Sequence, residues 1–388
     1  MSNLGFSTTA IRGGHDCRQC NNLETNPSIA TSITFFQADP TNLTDYVYAR
    51  YGNPTRSSLE KCLAELDGDQ YCLTFPSGCA AISDVLHLLK RGDHILCCLE
   101  LYGGTRSLFQ HYAEHNGVEV DFVDMVDASL VSNAIKPNTK LVWLETPSNP
   151  CSRIYNIQAI SDMVHNKNKE ILVGVDNTLL TSYFQRPLDF GADIVMYSVT
   201  KYMNGHNDVL MGALIMNNEK LYKKLRTIQT TYGWTPSSFD CYLVIRSLKT
   251  LSMRMDRHSE NGLSVATFLE SHPNVIKVHH PGLVSHPGYE LFKKQSTGFS
   301  GLLSFQMKGT LNEVKKFIKH LRVFTSCSSL GSCDSIVSLP VFNSHANVPS
   351  EILNELGIFD TTVRLSVGLE NVKDLIEDLK FALQAAYN

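Results

Sequence analysis

Five short apolar runs, at residues 93–98, 118–123, 140–144, 171–175 and 193–196, alternate with helical patterns, and no other feature constrains the fold as much. Continuous apolar runs of this length suit strands covered on both faces. Strands separated by helices pair in parallel, so the expectation is an α/β protein with a large, doubly wound, mostly parallel sheet. Ligands of such sheets bind outside the carboxyl ends of the strands. The residues that follow the apolar runs are therefore the ones to inspect. Asp176-Asn177-Thr178 follows the fourth run, and Tyr197-Ser198-Val199-Thr200-Lys201 follows the fifth.

A lysine at the end of a buried strand, with hydroxyls one and three residues before it, can form a Schiff base with pyridoxal phosphate while Ser198 and Thr200 hold the phosphate. A solvated strand-end lysine is the plain alternative, and Ser-x-Thr-Lys is too short to decide between them. Asp176 can pair with a protonated ring nitrogen and strengthen the pull of the ring on electrons; a helix N-cap is its plain alternative. One strand-loop-strand unit separates Asp176 from Lys201, which favours the cofactor. A third element, Phe75-Pro76-Ser77-Gly78-Cys79-Ala80-Ala81, opens a helical pattern over 82–90. Backbone N–H groups of Ser77 and Gly78 there suit a phosphate, although an ordinary helix start has the same appearance.

These elements sit among six ordered motifs: Tyr48-Ala49-Arg50-Tyr51-Gly52-Asn53-Pro54-Thr55, Tyr102-Gly103-Gly104-Thr105, Glu145-Thr146-Pro147-Ser148-Asn149-Pro150, Asp176-Asn177-Thr178, Ser198 through His206, and Arg364-Leu365-Ser366-Val367-Gly368-Leu369-Glu370. Together they resemble the transsulfuration enzymes of cysteine and methionine metabolism, from Ala10-Ile11 to the last helix. The resemblance implies a fold type I, PLP-dependent transferase-like architecture with a pyridoxal 5'-phosphate cofactor. It further implies γ-elimination of L-cystathionine, an amino-acid substrate, to L-cysteine, 2-oxobutanoate and ammonia. Methionine cleavage, γ-replacement on an activated homoserine ester, β-cleavage of cystathionine and a catalytically silent scaffold are the alternatives.

Carried over position by position, the resemblance makes Lys201, Tyr102 and Asp176 catalytic. Tyr102 stacks on the cofactor ring and can give a proton to the departing sulfur. Thr178 supports the ring side. Arg364 grips the substrate carboxylate as a bidentate fork, with Asn149, Ser329 and Asp334 as further substrate contacts. Tyr48 and Arg50 reach the phosphate of a neighbouring subunit, so the implied assembly is a homotetramer of dimers that share active sites. Three departures stand out. Ser107 follows Arg106 where relatives carry an arginine, Asp334 stands for a glutamate associated with the choice between γ- and β-chemistry, and Val341-Phe342-Asn343-Ser344-His345 replaces a Met-Thr-His type run. These changes are expected to alter the permitted side reactions, hydrogen sulfide release from cysteine included.

Composition agrees. A chain of 388 residues with 43% hydrophobic content can build more than one core. The division expected is an arm over 1–50, a cofactor-binding domain over 51–245 and a smaller C-terminal α/β domain over 246–388. A net charge of -4 leaves no basic footprint for nucleic acid, and no apolar stretch suits a secretory signal or a membrane span. Eleven cysteines, an odd number, suit reduced thiols in a cytoplasmic protein. Cys17-Arg18-Gln19-Cys20 has metal or redox spacing without a second pair, so no metal is expected, and Cys97-Cys98 suits a core strand.

Overall fold

The computed structural model describes residues 4–18, 23–68 and 70–388. Cys20 lies outside them, so the pair Cys17/Cys20 is not described. Seven strands build the larger sheet: β1 (Tyr71–Phe75), β2 (His94–Cys98), β3 (Glu119–Val123), β4 (Thr139–Glu145), β5 (Leu172–Asp176), β6 (Ile194–Ser198) and β7 (Gly212–Met216). Their order is β1-β7-β6-β5-β4-β2-β3, parallel except at β7, which runs antiparallel to both β1 and β6. The expected mixed α/β fold with a large, mostly parallel sheet is present.

Alternation along the central strands explains why their sequences are mostly apolar. Ile194 and Met196 of β6 belong to one core, while Val195 and Tyr197 point to the other face and join a second core with Ala213 and Ile215. Helices cover both faces of the central strands, which favours apolar side chains on each. Two strands were not legible from the periodicity: β1 and β7. The segment between β6 and β7 carries no helix, and without a helical crossover β7 returns antiparallel.

The second sheet comprises β8 (Val275–His279), β9 (Leu302–Met307), β10 (Thr325–Ser326), β11 (Ile336–Ser338) and β12 (Thr362–Ser366), in the order β10-β11-β12-β9-β8. It packs a third core with the helices Leu311–His320 and Val372–Ala386. Thr310 and Glu313 close a reciprocal capping box at the start of the first of these. The helix Leu251–Glu270 is far longer than the segment over 265–271 expected from sequence. Its buried stripe contains Arg254, His258 and Asn261, whose polarity hid the helical period. Each finds backbone acceptors in the fold: Arg254 donates to Tyr202 O (2.6 Å) and Met203 O (3.1 Å), and Asn261 donates to Gly368 O (2.9 Å). Cys97 and Cys98 are buried in β2.

The arm contains the helix Phe6–Arg12 and one isolated bridge between Thr34 and Tyr48. Ile33, Phe36 and Leu43 are exposed on it, Phe36 at 89%. No helix among the described residues is long and apolar enough to cross a membrane.

Candidate active site

At the carboxyl ends of β4, β5 and β6 opens a cavity of about 520 Å³, walled on its far side by residues 328–330, 342–344 and Arg364 of the C-terminal part. Ser77, Gly78, Tyr102, Asn149, Asp176, Thr178, Ser198, Thr200, Lys201, Ser329 and Arg364 all line it. These residues come from segments nearly three hundred positions apart, and the two sheets bring them together.

The start of the helix Gly78–Leu86 forms one end. Ser77 is its N-cap and accepts from Ala80 N at 3.1 Å, leaving the first N–H groups directed outward as at any helix start. A Cβ on Gly78 would meet the Ser198 side chain at 3.3 Å, and one on Gly212 would meet Ser77 O at 2.4 Å. Glycine is thus required at 212 for β7 to approach the turn. The Thr200 hydroxyl is engaged with Met211, accepting from its N (3.0 Å) and donating to its O (3.2 Å). The Ser198 hydroxyl and the N–H groups of the helix start are the donors left free at this end.

The ring end is acidic. Asp176, buried, accepts from Thr178 N at 3.0 Å, and the Thr178 hydroxyl accepts from Ser198 N at 2.8 Å, linking the ends of β5 and β6. Burial raises its pKa to about 6 against the pull of Thr178 and Lys201. Such a carboxylate is short of a cation, which a protonated pyridine nitrogen would supply.

Lys201 donates from Nζ to the Ser329 hydroxyl at 2.7 Å. Burial, with the Arg364 charge behind it, lowers its pKa to about 8. Ser329 holds a φ of 86°, uncommon for a residue with a side chain, and in that pose its carbonyl accepts from Arg364 Nη2 at 2.8 Å. Arg364 projects from β12, with Nη1 donating to Asn149 Oδ1 at 3.2 Å. Its Nε is buried without a partner. An unpartnered guanidinium N–H on a residue that lines this space suits a carboxylate. Burial lowers its pKa to about 10, so it stays charged at neutral pH.

Tyr102 precedes the helix Gly103–Asn116 and has its ring folded over Gly104, where a Cβ would meet Cε1 at 2.5 Å. Burial raises its phenol pKa, keeping the proton on. The donor set fits pyridoxal phosphate: helix N–H groups and a hydroxyl for the phosphate, a carboxylate for the ring nitrogen, an amine of lowered pKa for the aldehyde and an aromatic ring beside them.

Three carried-over residues lie outside this lining. Arg50 donates to Thr230 O at 2.7 Å and stacks on Tyr51, with Tyr48 next to it. Asp334 is exposed. Arg106 turns away from the cavity, donating to Leu99 O at 2.8 Å over the Phe122 ring, and Ser107 is half-buried outside it. Sequence reasoning assigned no role to Cys79, Leu210, Ser328 or Phe342, which line the cavity, nor to Glu145. For Glu145 the signal existed, because it ends an apolar run. Among the described residues no cluster of His, Cys, Asp or Glu could hold a metal ion.

A family model described as Cys/Met metabolism PLP-dependent enzyme matches residues 7–384. The chain is 50% identical to the cystathionine gamma-lyase of Macaca fascicularis over 382 residues, covering 98% of this chain and 94% of that one. It is 42% identical to the Dictyostelium discoideum cystathionine gamma-lyase, covering 98% of each. The solved cystathionine gamma-lyase of Lactobacillus plantarum, complexed with L-serine, superposes with a TM-score of 0.95 at 35% identity, covering 99% of this chain and 100% of that one. Cystathionine gamma synthase of Xanthomonas oryzae pv. oryzae, in complex with cystathionine, superposes with a TM-score of 0.96 at 37% identity, covering 100% and 99%.

Proposed function

The chain belongs to the Cys/Met metabolism PLP-dependent enzymes, and from that membership we propose that it cleaves the Cγ–S bond of L-cystathionine, giving L-cysteine, 2-oxobutanoate and ammonia. The observation that carries this reading is identity of 42–50% to cystathionine gamma-lyases over nearly the whole chain, joined to a cavity that collects Lys201, Asp176, Tyr102 and Arg364. Methionine cleavage, γ-replacement and β-cleavage are less favoured by those relatives. A silent scaffold would have no need of this constellation.

Bound pyridoxal phosphate supplies an electron-poor ring that stabilises negative charge on the amino-acid carbons attached to it. Ser77, Gly78 and Ser198 would hold its phosphate, with Thr200 joining them once its hydroxyl turns from Met211 O, Asp176 would hold its ring nitrogen, and Thr178 supports Asp176. Arg364 and Asn149 orient the substrate α-carboxylate. Lys201 takes the α-proton; its lowered pKa leaves part of it neutral near neutral pH. It then moves protons between substrate carbons as a β-proton is lost and the γ-sulfur departs. Tyr102, which retains its proton, donates to that sulfur, so cysteine leaves as a thiol. Water hydrolyses the four-carbon remainder to 2-oxobutanoate and ammonia, balancing the reaction.

Tyr48 and Arg50, outside the cavity of their own chain, act on the site of a neighbour in this reading. The exposed apolar arm, Phe36 above all, supports a homotetramer of dimers sharing active sites, and ten described cysteines without a disulfide support a reducing, cytoplasmic setting. Holoenzyme incubated with L-cystathionine, with Lys201→Ala as control, tests the function by mass spectrometry. Cysteine with 2-oxobutanoate supports γ-cleavage, whereas homocysteine with pyruvate would replace it by β-cleavage.

A further inference from the structure

Glu145 ends β4 directly beside Asp176 at the end of β5, the two being register partners in a parallel pair, so their side chains share one face of the sheet. It is buried and forms no ion pair among the described residues. Its oxygens are divided between two segments of the site. Oε2 accepts from Tyr102 N at 2.8 Å, and Oε1 accepts from Asn149 N at 3.2 Å. Tyr102 N belongs to the turn that aims the ring into the cavity, and the Asn149 side chain accepts from Arg364.

We propose that Glu145 is a positioning residue: one carboxylate ties the ring-facing Tyr102 to the substrate-facing pair of Asn149 and Arg364. It rests on the reading that the cofactor lies between Tyr102 and Asp176. Glu100 also holds these segments together, accepting from Ser148 and Cys151, but among the described residues Glu145 is the group that accepts from Tyr102 N and Asn149 N themselves, and a carboxylate is the side chain that accepts at two oxygens at once. The arrangement is costly to keep. Burial and then Asp176 raise the Glu145 pKa well above the ordinary range, with Glu100 adding to the rise. Cys98 and Tyr102 also face this carboxylate, and Lys201 faces Asp176. An ionisable carboxyl group kept buried among acidic neighbours, without a cation of its own, suits a positioning task better than a stabilising one.

Glu145→Gln keeps the size but offers one acceptor and turns an amide N–H₂ on the other N–H; Glu145→Asp keeps the charge and shortens the reach. Holoenzymes of both are compared with wild type by visible-region circular dichroism of the bound cofactor, by KM against kcat, and by the pH at which cofactor dissociates. Both variants are expected to lose about half of the cofactor dichroism and to raise KM for cystathionine about tenfold, an order that fits one unpaired N–H. Gln alone is expected to leave the pH at which cofactor dissociates unchanged, because the raised pKa already keeps Glu145 uncharged at low pH. Wild-type dichroism and KM in both variants, with only a lowered melting temperature, would overturn the proposal. Should Glu145→Gln not fold, unchanged dichroism in Glu145→Asp is sufficient to overturn it. Absence of a cofactor band in wild type sinks the cofactor reading itself and this inference with it.

Discussion

Replacing Asp176 by Asn should stabilise the cofactor-free chain near pH 8 while depriving the loaded enzyme of its partner for the ring nitrogen. Asp176 is 7% exposed, and burial raises its pKa from 3.8 to about 6. A folded state that holds the proton more tightly than the unfolded chain loses stability as pH rises from the unfolded pKa through the folded one. The loss is therefore absent below about pH 3.8, grows to about pH 6 and is complete above it, where the two-unit gap corresponds to about 3 kcal/mol. Asn carries no charge at any of these pH values, yet its Oδ1 can still accept from Thr178 N. The variant should thus exceed wild type by about 3 kcal/mol at pH 8, with the gap closing as pH falls through 6 toward 4. Urea denaturation of cofactor-free wild type and variant at pH 5, 6, 7 and 8, at one protein concentration, reads the midpoints directly. Added pyridoxal phosphate should then reverse the order, since only wild type offers the ring nitrogen a carboxylate. A gap that stays constant with pH, or a variant less stable than wild type at pH 8, would refute the reasoning that burial of this charge is held for the cofactor.

Arg364→Lys retains charge, but a single ammonium cannot reproduce the Arg364 contacts to Asn149 and Ser329 together with its free Nε. KM for cystathionine should rise about 10- to 100-fold, the equivalent of one charge-assisted hydrogen bond, and steady-state kinetics showing less than a twofold change would contradict it. Capture of pyridoxal phosphate by the cofactor-free chain needs neutral Lys201, so the stopped-flow rate should climb about tenfold per pH unit below 8 and level off above it. A pH-independent rate would reject the lowered pKa. Gly212→Ala drives a Cβ to 2.4 Å from Ser77 O; cofactor affinity, followed by fluorescence titration, should fall about tenfold or more because the helix start must shift.

Much of this site is legible in the sequence because its residues follow apolar runs. Asp176 and Lys201 end or follow strands whose uninterrupted hydrophobicity has one explanation, burial on both faces of a parallel sheet, and such sheets carry ligands at their carboxyl ends. Ser77 and Gly78 were visible as a helix start. What the chain alone could not disclose was meeting: Arg364 on β12, Ser329 in its left-handed pose and Lys201 after β6 lie far apart in sequence, and only packing of the second sheet against the first brings their polar atoms within 2.7–2.8 Å. The helix Leu251–Glu270 escaped the hydrophobic period because its inward face is partly polar, satisfied by carbonyls that exist only once the fold has formed. The same holds for Glu145. Its position at the end of a run is written in the sequence, but its two backbone partners and its register with Asp176 are properties of tertiary structure. Local sequence thus determined the strands and the chemistry that each could deliver, through burial and helix-end polarity. The fold decided which of those groups share a buried space, and in that space low dielectric and neighbouring charge set what each one can do.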